Sequence, residues 1–328
     1  MKQMNEEINT SIQTPPQKKN LISLLTSILL PILLIGIFAY QIHKDWEKIV
    51  NFSWEFDATF AGISISLLLI NTAMEVGIWN KTLNWFTKSL PYRLAIPAYV
   101  WSSLARYIPG KVASLIIRMG LTGQVNVPMI PMLAASTVEL AVRTASGFFM
   151  LLIAFLIVKT GEKSIIIMAI SVIIVVLIVA HPKIMIPIMN WFLRKIKQPE
   201  IVVIPKYRNI LLVFGLNILR WIIYGSAFAM LCAAIYKITL SQFIPMIGIS
   251  PGGWAAGFVF LTPGGLGIAE WIQNFGLKQL LKLPQELAII LPVLFRLSTL
   301  LAEGIWSLVA MPLWGGRHKY VERNQTEN

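Results

Sequence analysis

Six runs of apolar residues are long enough, or nearly so, to cross a bilayer as helices: residues 21–40, 59–79, 129–158, 164–181, 209–236 and 286–313. About 20 apolar residues span the hydrocarbon core. Water is absent there, so a spanning segment must satisfy its own backbone polar groups, which a helix does. The runs therefore predict an all-α polytopic membrane protein. Only 13% of the residues are charged, about half the share of a soluble domain.

Two further apolar stretches are interrupted. Residues 94–117 contain Arg106, Pro109-Gly110 and Lys111. Residues 239–281 contain Ser250-Pro251-Gly252-Gly253 and then "LTPGGLGIAE" at 261–270. Each Pro-Gly cluster is expected to break the helix that carries it.

The formal net charge of +13 suggests nucleic acid in a soluble protein. In a membrane protein it reflects topology, because Lys and Arg collect on the cytoplasmic side. If the six runs alternate, 18 Lys and Arg fall on the side of both termini and 7 on the other. Both termini are thus expected in the cytoplasm, with a polar tail over 1–20, a transmembrane domain over 21–315 and a second tail over 316–328. The first run lacks a small-residue cleavage site and is read as a retained span. The protein is placed in the cytoplasmic membrane, and no nucleic-acid partner is expected.

This orientation makes residues 80–128 begin and end inside, and residues 237–285 begin and end outside. Each is a re-entrant hairpin or a pair of short spans, and the Pro-Gly breaks favour re-entry. Two units of the same order and opposite topology result, at about 59–158 and 209–313. Opposed repeats with discontinuous helices are a transporter pattern, with the binding site between the repeats.

Ionisable residues inside spans are costly and face a bundle interior or a cavity. Six are present: Glu75, Glu139, Arg143, Arg220, Arg296 and Glu303. All lie in the repeat units. Glu139 precedes Arg143 by one helical turn, the favourable order for an ion pair; it is either a structural pair or part of a site. Glu75 is within about a turn of the membrane edge, so it either faces the interior or simply reaches water, and the same two readings apply to Arg220. Arg296 lies near the middle of its run and is the leading candidate to bind an anion.

The broken segments add candidates. A glycine-rich turn entering a helix points backbone N–H groups outward at the positive end of the helix dipole, which suits an anion. Pro263, Gly264, Gly265 and Gly267 form such a turn, and Glu270 follows in the first turns of the helix. Glu270 is either a cap-region charge or a group that takes a proton or draws in a cation. Arg106 and Lys111 flank Pro109-Gly110, where they would hold a phosphate or serve as cytoplasmic positive charge.

"RYIPGK" (106–111), "VELAVR" (138–143), "TPGGLGIAE" (262–270) and "FR" (295–296) resemble the flippase-like transmembrane domain of lysylphosphatidylglycerol synthases. The resemblance covers about residues 20–315. It implies movement of a lipid across the bilayer. In the lysyl-lipid enzymes a separate acyltransferase domain makes the lipid. Only about 15 residues follow the last run here, so transport rather than synthesis is expected, with similar domains also fused to some archaeal glycosyltransferases.

The expected function is therefore a lipid translocase for a phospholipid or a polyprenyl phosphate-linked lipid. Its headgroup would be held by Arg143, Arg296 and the two turns, with Arg106, Glu139 and Glu303 nearby. The alternatives are an intramembrane transferase, or an accessory subunit working with a lipid-modifying enzyme or glycosyltransferase. No nucleophile–base pair is evident. The single cysteine, Cys232, rules out an internal disulfide, and His43, His181 and His318 lack metal-ligand spacing. No cofactor is expected, and without a Walker motif a proton or ion gradient or downhill movement remains as the energy source.

Overall fold

The structure is a computed structural model. It describes residues 46–88, 90–107, 113–158, 181–195, 197–259, 267–317 and 320–322, with 43, 167, 170, 171 and 174 as isolated positions. The first expected span lies outside the described residues, and so does all but a few positions of the fourth. Pro109, Gly110, Lys111, Pro263, Gly264 and Gly265 also lie outside them.

The described chain is helical, with no strand among the described residues. In chain order the helices are α1 (Trp46–Asn51), α2 (Ala58–Leu83), α3 (Tyr92–Leu104), α4 (Ala113–Gly123), α5 (Met129–Val158), α6 (Pro182–Lys195), α7 (Tyr207–Ile235), α8 (Leu240–Val259), α9 (Ile268–Phe275) and α10 (Gln285–Trp314). A 3-10 turn, Ala105–Tyr107, follows α3, and a π turn, Gly276–Leu280, follows α9. Four helices, α2, α5, α7 and α10, are long and apolar enough to cross a membrane. They coincide with the expected second, third, fifth and sixth spans.

The helix starts have local causes. Asp57 accepts from the backbone N–H groups of Thr59 at 2.7 Å and Phe60 at 3.3 Å, capping α2. Pro91 and Pro284 precede α3 and α10, where a fixed φ and a missing N–H cost little. In α9 the Glu270 carboxylate accepts the Gly267 N–H at 2.7 Å, one half of a capping box. Gly267 itself has φ 84°, which glycine adopts without a Cβ clash.

The expected interruption at Ser250-Pro251-Gly252-Gly253 is not one: α8 runs through it. Proline removes the N–H that would serve the carbonyl four residues back, here Ile247. That backbone lies against α7, where a Cβ on Gly225 would come within 2.1 Å of the Ile247 oxygen. The glycines serve approach, not a break. A Cβ on Gly252 would meet Leu151 of α5 at 2.6 Å, and one on Gly253 would meet the Ala269 carbonyl oxygen of α9 at 2.8 Å. Small residues let helices pack closely where lipid offers no hydrophobic drive between them.

The packing falls into pairs. α2 packs on α7; α5 on α8 and α10 on α3; α5 on α7 and α10 on α2; α3 on α4 and α8 on α9; α4 on α5 and α9 on α10. The ends also sort. At one end Lys237 pairs with Glu55 at 3.4 Å, and the Asp57 N–H donates to the Ala234 carbonyl at 2.8 Å. At the other end Leu83, Leu90, Val127, Met185, Leu193, Ile210 and Trp314 share one apolar cluster. Outward-facing Leu219, Leu297 and Leu308 are half exposed or more, as side chains meeting lipid tails would be.

Candidate functional site

Glu75 is the centre of a charge cluster between α2, α5 and α7. Arg220 donates to its Oε1 at 2.8 Å, and Arg143 lies 3.7 Å from its Oε2. Arg220 also donates to Asn71 at 3.0 Å and to Asn217 at 3.3 Å, and its guanidinium stacks on Trp221 at 3.6 Å from the ring centre. Arg220 is fully buried and Glu75 nearly so, so of the two readings both side chains take the interior-facing one. The reason is one of position: Glu75 is near the end of its apolar run, but α2 continues to Leu83 and the neighbouring helices cover it.

Arg143 forms the expected pair with Glu139 of its own helix, Nη2 to Oε1 at 2.8 Å. The same nitrogen donates to the Tyr99 hydroxyl of α3. Trp221 donates to Ser146 at 2.9 Å and to the Arg143 carbonyl at 3.2 Å, holding α7 to α5.

Two more pairs lie on α10. Arg296 pairs with Glu270 of α9, the same carboxylate that caps Gly267. Arg106, in the 3-10 turn after α3, pairs with Glu303 at 3.1 Å and donates to the Ser103 carbonyl at 2.8 Å. Arg296 and Glu303, expected to share a face of their helix, thus reach different broken segments. Glu303 is within Coulombic reach of Arg106, Glu75, Arg296 and Arg143, so the three groups of charges form one electrostatic neighbourhood.

Taking ions out of water costs several kcal/mol each unless they are paired and hydrogen-bonded. Each glutamate has an arginine beside it: Glu75 has Arg220, Glu139 has Arg143, Glu270 has Arg296 and Glu303 has Arg106, and Arg143 also reaches Glu75. The hydrogen bonding is less complete. Four buried side-chain atoms lack a hydrogen-bond partner among the described residues: Glu139 Oε1, Arg143 Nε, Arg220 Nη2 and Glu303 Oε2. The first is close to Arg143 as an ion pair but is not aligned with an N–H. All four belong to this network. Buried orphans are few in folded proteins and point to water, an ion or a ligand.

Of the candidates named from sequence, Arg106, Glu139, Arg143, Gly267, Glu270, Arg296 and Glu303 are therefore in or beside this network. Glu75 and Arg220 join it. Tyr99, Asn71 and Asn217 were not singled out, because an uncharged side chain on a span carries no signal of its partner. Arg118 was counted as cytoplasmic charge, yet it is buried on α4. Its signal was its place between Ile117 and Met119 in an apolar helix.

A family model described as lysylphosphatidylglycerol synthase TM region matches residues 20–306. A search of curated proteins returns no match.

Proposed function

The chain belongs to the lysylphosphatidylglycerol synthase TM region family, a membrane protein group concerned with lipid handling, and on that premise we propose that it is a lipid translocase. It moves an anionic or phosphate-bearing lipid, a phospholipid or a polyprenyl phosphate-linked one, across the cytoplasmic membrane. The headgroup enters the charged network while the tails stay in the bilayer. The observation that carries this reading is that every orphaned buried side-chain atom among the described residues lies in that network. A permanently closed structural cluster has no use for unmet donors and acceptors, whereas a site that exchanges partners with a polar headgroup does.

The proposal includes six spans, two re-entrant segments and an inverted repeat, with the transmembrane domain over 21–315 and both termini inside. Three things support the repeat. Exchanging α2 with α7, α3 with α8, α4 with α9 and α5 with α10 maps the α2–α7 pair onto itself and every other packing pair described above onto its counterpart. Pro91, Pro97 and Pro109 recur at one constant offset as Pro245, Pro251 and Pro263, so the Pro251 cluster is the counterpart of Pro97 inside α3. Each second broken helix also ends alike: Asn126 and Lys282 have positive φ, and each is followed by a buried apolar residue and a proline before the next long helix. Rocking of one unit against the other then gives alternating access.

The test is translocation in reconstituted vesicles. Labelled phospholipid and polyprenyl phosphate are followed from one leaflet to the other. Movement no faster than in empty vesicles for both classes overturns the proposal.

A further inference from the structure

The connection over 182–208 contains a hairpin. Its first arm is α6, 14 residues long and so about 21 Å, too short to cross a hydrocarbon core of about 30 Å. Lys197 takes a positive φ of 54°, and the Gln198 N–H donates to the Leu193 carbonyl at 2.9 Å, so the chain turns back where α6 ends. Asn190 then holds the returning arm. Its Nδ2 donates to the Ile201 carbonyl at 3.0 Å, and the Ile201 N–H donates to its Oδ1 at 2.8 Å. Met185, Ile186, Leu193 and Ile201 join the apolar cluster at this end of the bundle, with Leu83, Ile210 and Trp314.

The other side of the hairpin is apolar too. Ile188, Trp191 and Phe192 on α6 and Val202 and Ile204 on the returning arm are exposed, Val202 by 88% and Phe192 and Ile204 by 57% each. An exposed apolar patch with a polar rim marks an interaction surface. Here the rim has one sign. Lys183, Arg194, Lys195, Lys197, Lys206 and Arg208 are all exposed, against Glu200 alone, and Glu200 already lies 3.4 Å from Arg194. The Lys195 ammonium sits 3.9 Å from the centre of the Trp191 ring, so a cation and an aromatic face share one edge of the patch.

We propose that this hairpin is an interfacial foot that seats in the headgroup layer of an anionic leaflet. Ile188, Phe192, Val202 and Ile204 dip below the phosphates, Trp191 lies at their level, and the basic side chains ring them. Trp and Phe on a helix edged by Lys and Arg is the pattern of helices that lie in a membrane surface, and each cation adds attraction to anionic lipid. A second copy docking through the same patch would set six cations against six, which disfavours it. The foot is packed on residues from the ends of α2, α7 and α10, so it anchors the depth and tilt of the bundle. It is separate from the buried charge network: a wild type that moves no lipid in vesicles leaves it standing.

The test is spin-label depth in the full chain, reconstituted in nanodiscs so that both faces are accessible. Phe192→Cys and Val202→Cys are each labelled in a Cys232→Ala background. Collisions with oxygen, which concentrates in lipid, are compared with collisions with a neutral nickel chelate, which stays in water. The discs hold phosphatidylcholine alone or phosphatidylcholine mixed with phosphatidylglycerol. Oxygen is expected to dominate at both sites in the mixed discs, with an oxygen-to-nickel ratio severalfold above that in phosphatidylcholine alone. Raising the salt from about 0.1 M to about 1 M, which shortens the Debye length from about 10 Å to about 3 Å, is expected to remove most of that difference. Lys195→Gln, Lys197→Gln and Lys206→Gln together are expected to do the same with an unchanged thermal midpoint.

Nickel dominating at both sites in both kinds of disc would put the hairpin in water and overturn the proposal. Few collisions with either reagent would show that protein, a second copy or another chain, covers the patch, and would overturn it equally. An equal ratio in the two lipid mixtures, or a ratio untouched by the triple variant, would remove the recognition of charge and with it the inference.

Discussion

Arg220 of α7 donates to Glu75 of α2 across 2.8 Å, and the arginine is fully buried. The bond joins the two helices that exchange with one another under the proposed repeat. Removing one partner of a buried pair leaves an uncompensated charge, typically costing about 3–5 kcal/mol. Glu75→Ala is therefore expected to lower the thermal midpoint in detergent strongly. Glu75→Ala combined with Arg220→Leu removes both charges and is expected to recover part of that loss. A double variant as unstable as the sum of the two single ones would show that the pair is not coupled.

The contact of α7 with α8 depends on Gly225. A Cβ there would come within 2.1 Å of the Ile247 carbonyl oxygen, a backbone atom that cannot swing aside. Gly225→Ala is expected to destabilise by about 1–3 kcal/mol through overpacking. Gly215, on the same helix, has nothing within 4 Å of an added Cβ, and Gly215→Ala is expected to be neutral or slightly stabilising. Thermal unfolding of the two variants side by side checks this.

The four long helices were legible because 20 apolar residues leave lipid few alternatives. Glu139 with Arg143 was legible because one helical turn fixes their proximity. Arg106 with Glu303 and Glu270 with Arg296 were not, since each joins distant parts of the chain and only packing decides who meets whom. Arg220 was ambiguous for a related reason: its depth in the bundle depends on α2 and on Asn71, neither of which its own helix reveals. Pro251 misled because a proline weakens one hydrogen bond, while neighbouring helices decide whether the helix ends. Its match to Pro97 belongs to the proposed repeat, in which α3 and α8 are equivalent helices.

The sidedness of the loops can be tested with cysteine. Cys232 is the single cysteine of the sequence, so a Cys232→Ala background leaves no thiol other than the one introduced. Lys237 and Glu55 pair at one end of the bundle, and Lys206 precedes α7 at the other. In intact cells an impermeant maleimide is expected to label Lys237→Cys and Glu55→Cys, and to label Lys206→Cys only after permeabilisation. The reverse pattern would invert the proposed orientation. Labelling of Lys237→Cys and Glu55→Cys from different sides would contradict the fold.

Glu270 carries two duties that one pair of variants separates. Its Oε2 accepts the Gly267 N–H at 2.7 Å, and its Oε1 meets Arg296. Glu270→Gln keeps an amide oxygen for the cap but removes the charge opposite Arg296. Glu270→Ala removes both. If the carboxylate serves only to start α9, the glutamine variant should move lipid in vesicles as wild type does and the alanine variant alone should fail. The translocase reading requires otherwise: a headgroup phosphate competes with Glu270 for Arg296, so the charge itself sets when the arginine is released. Glu270→Gln is then expected to keep a near-native thermal midpoint and to lose about tenfold or more in transport rate, the scale of one charge-assisted hydrogen bond. Arg296→Gln is expected to lose transport to a similar degree, and Arg296→Lys to lose less. Wild-type transport by Glu270→Gln would reduce this residue to a helix cap.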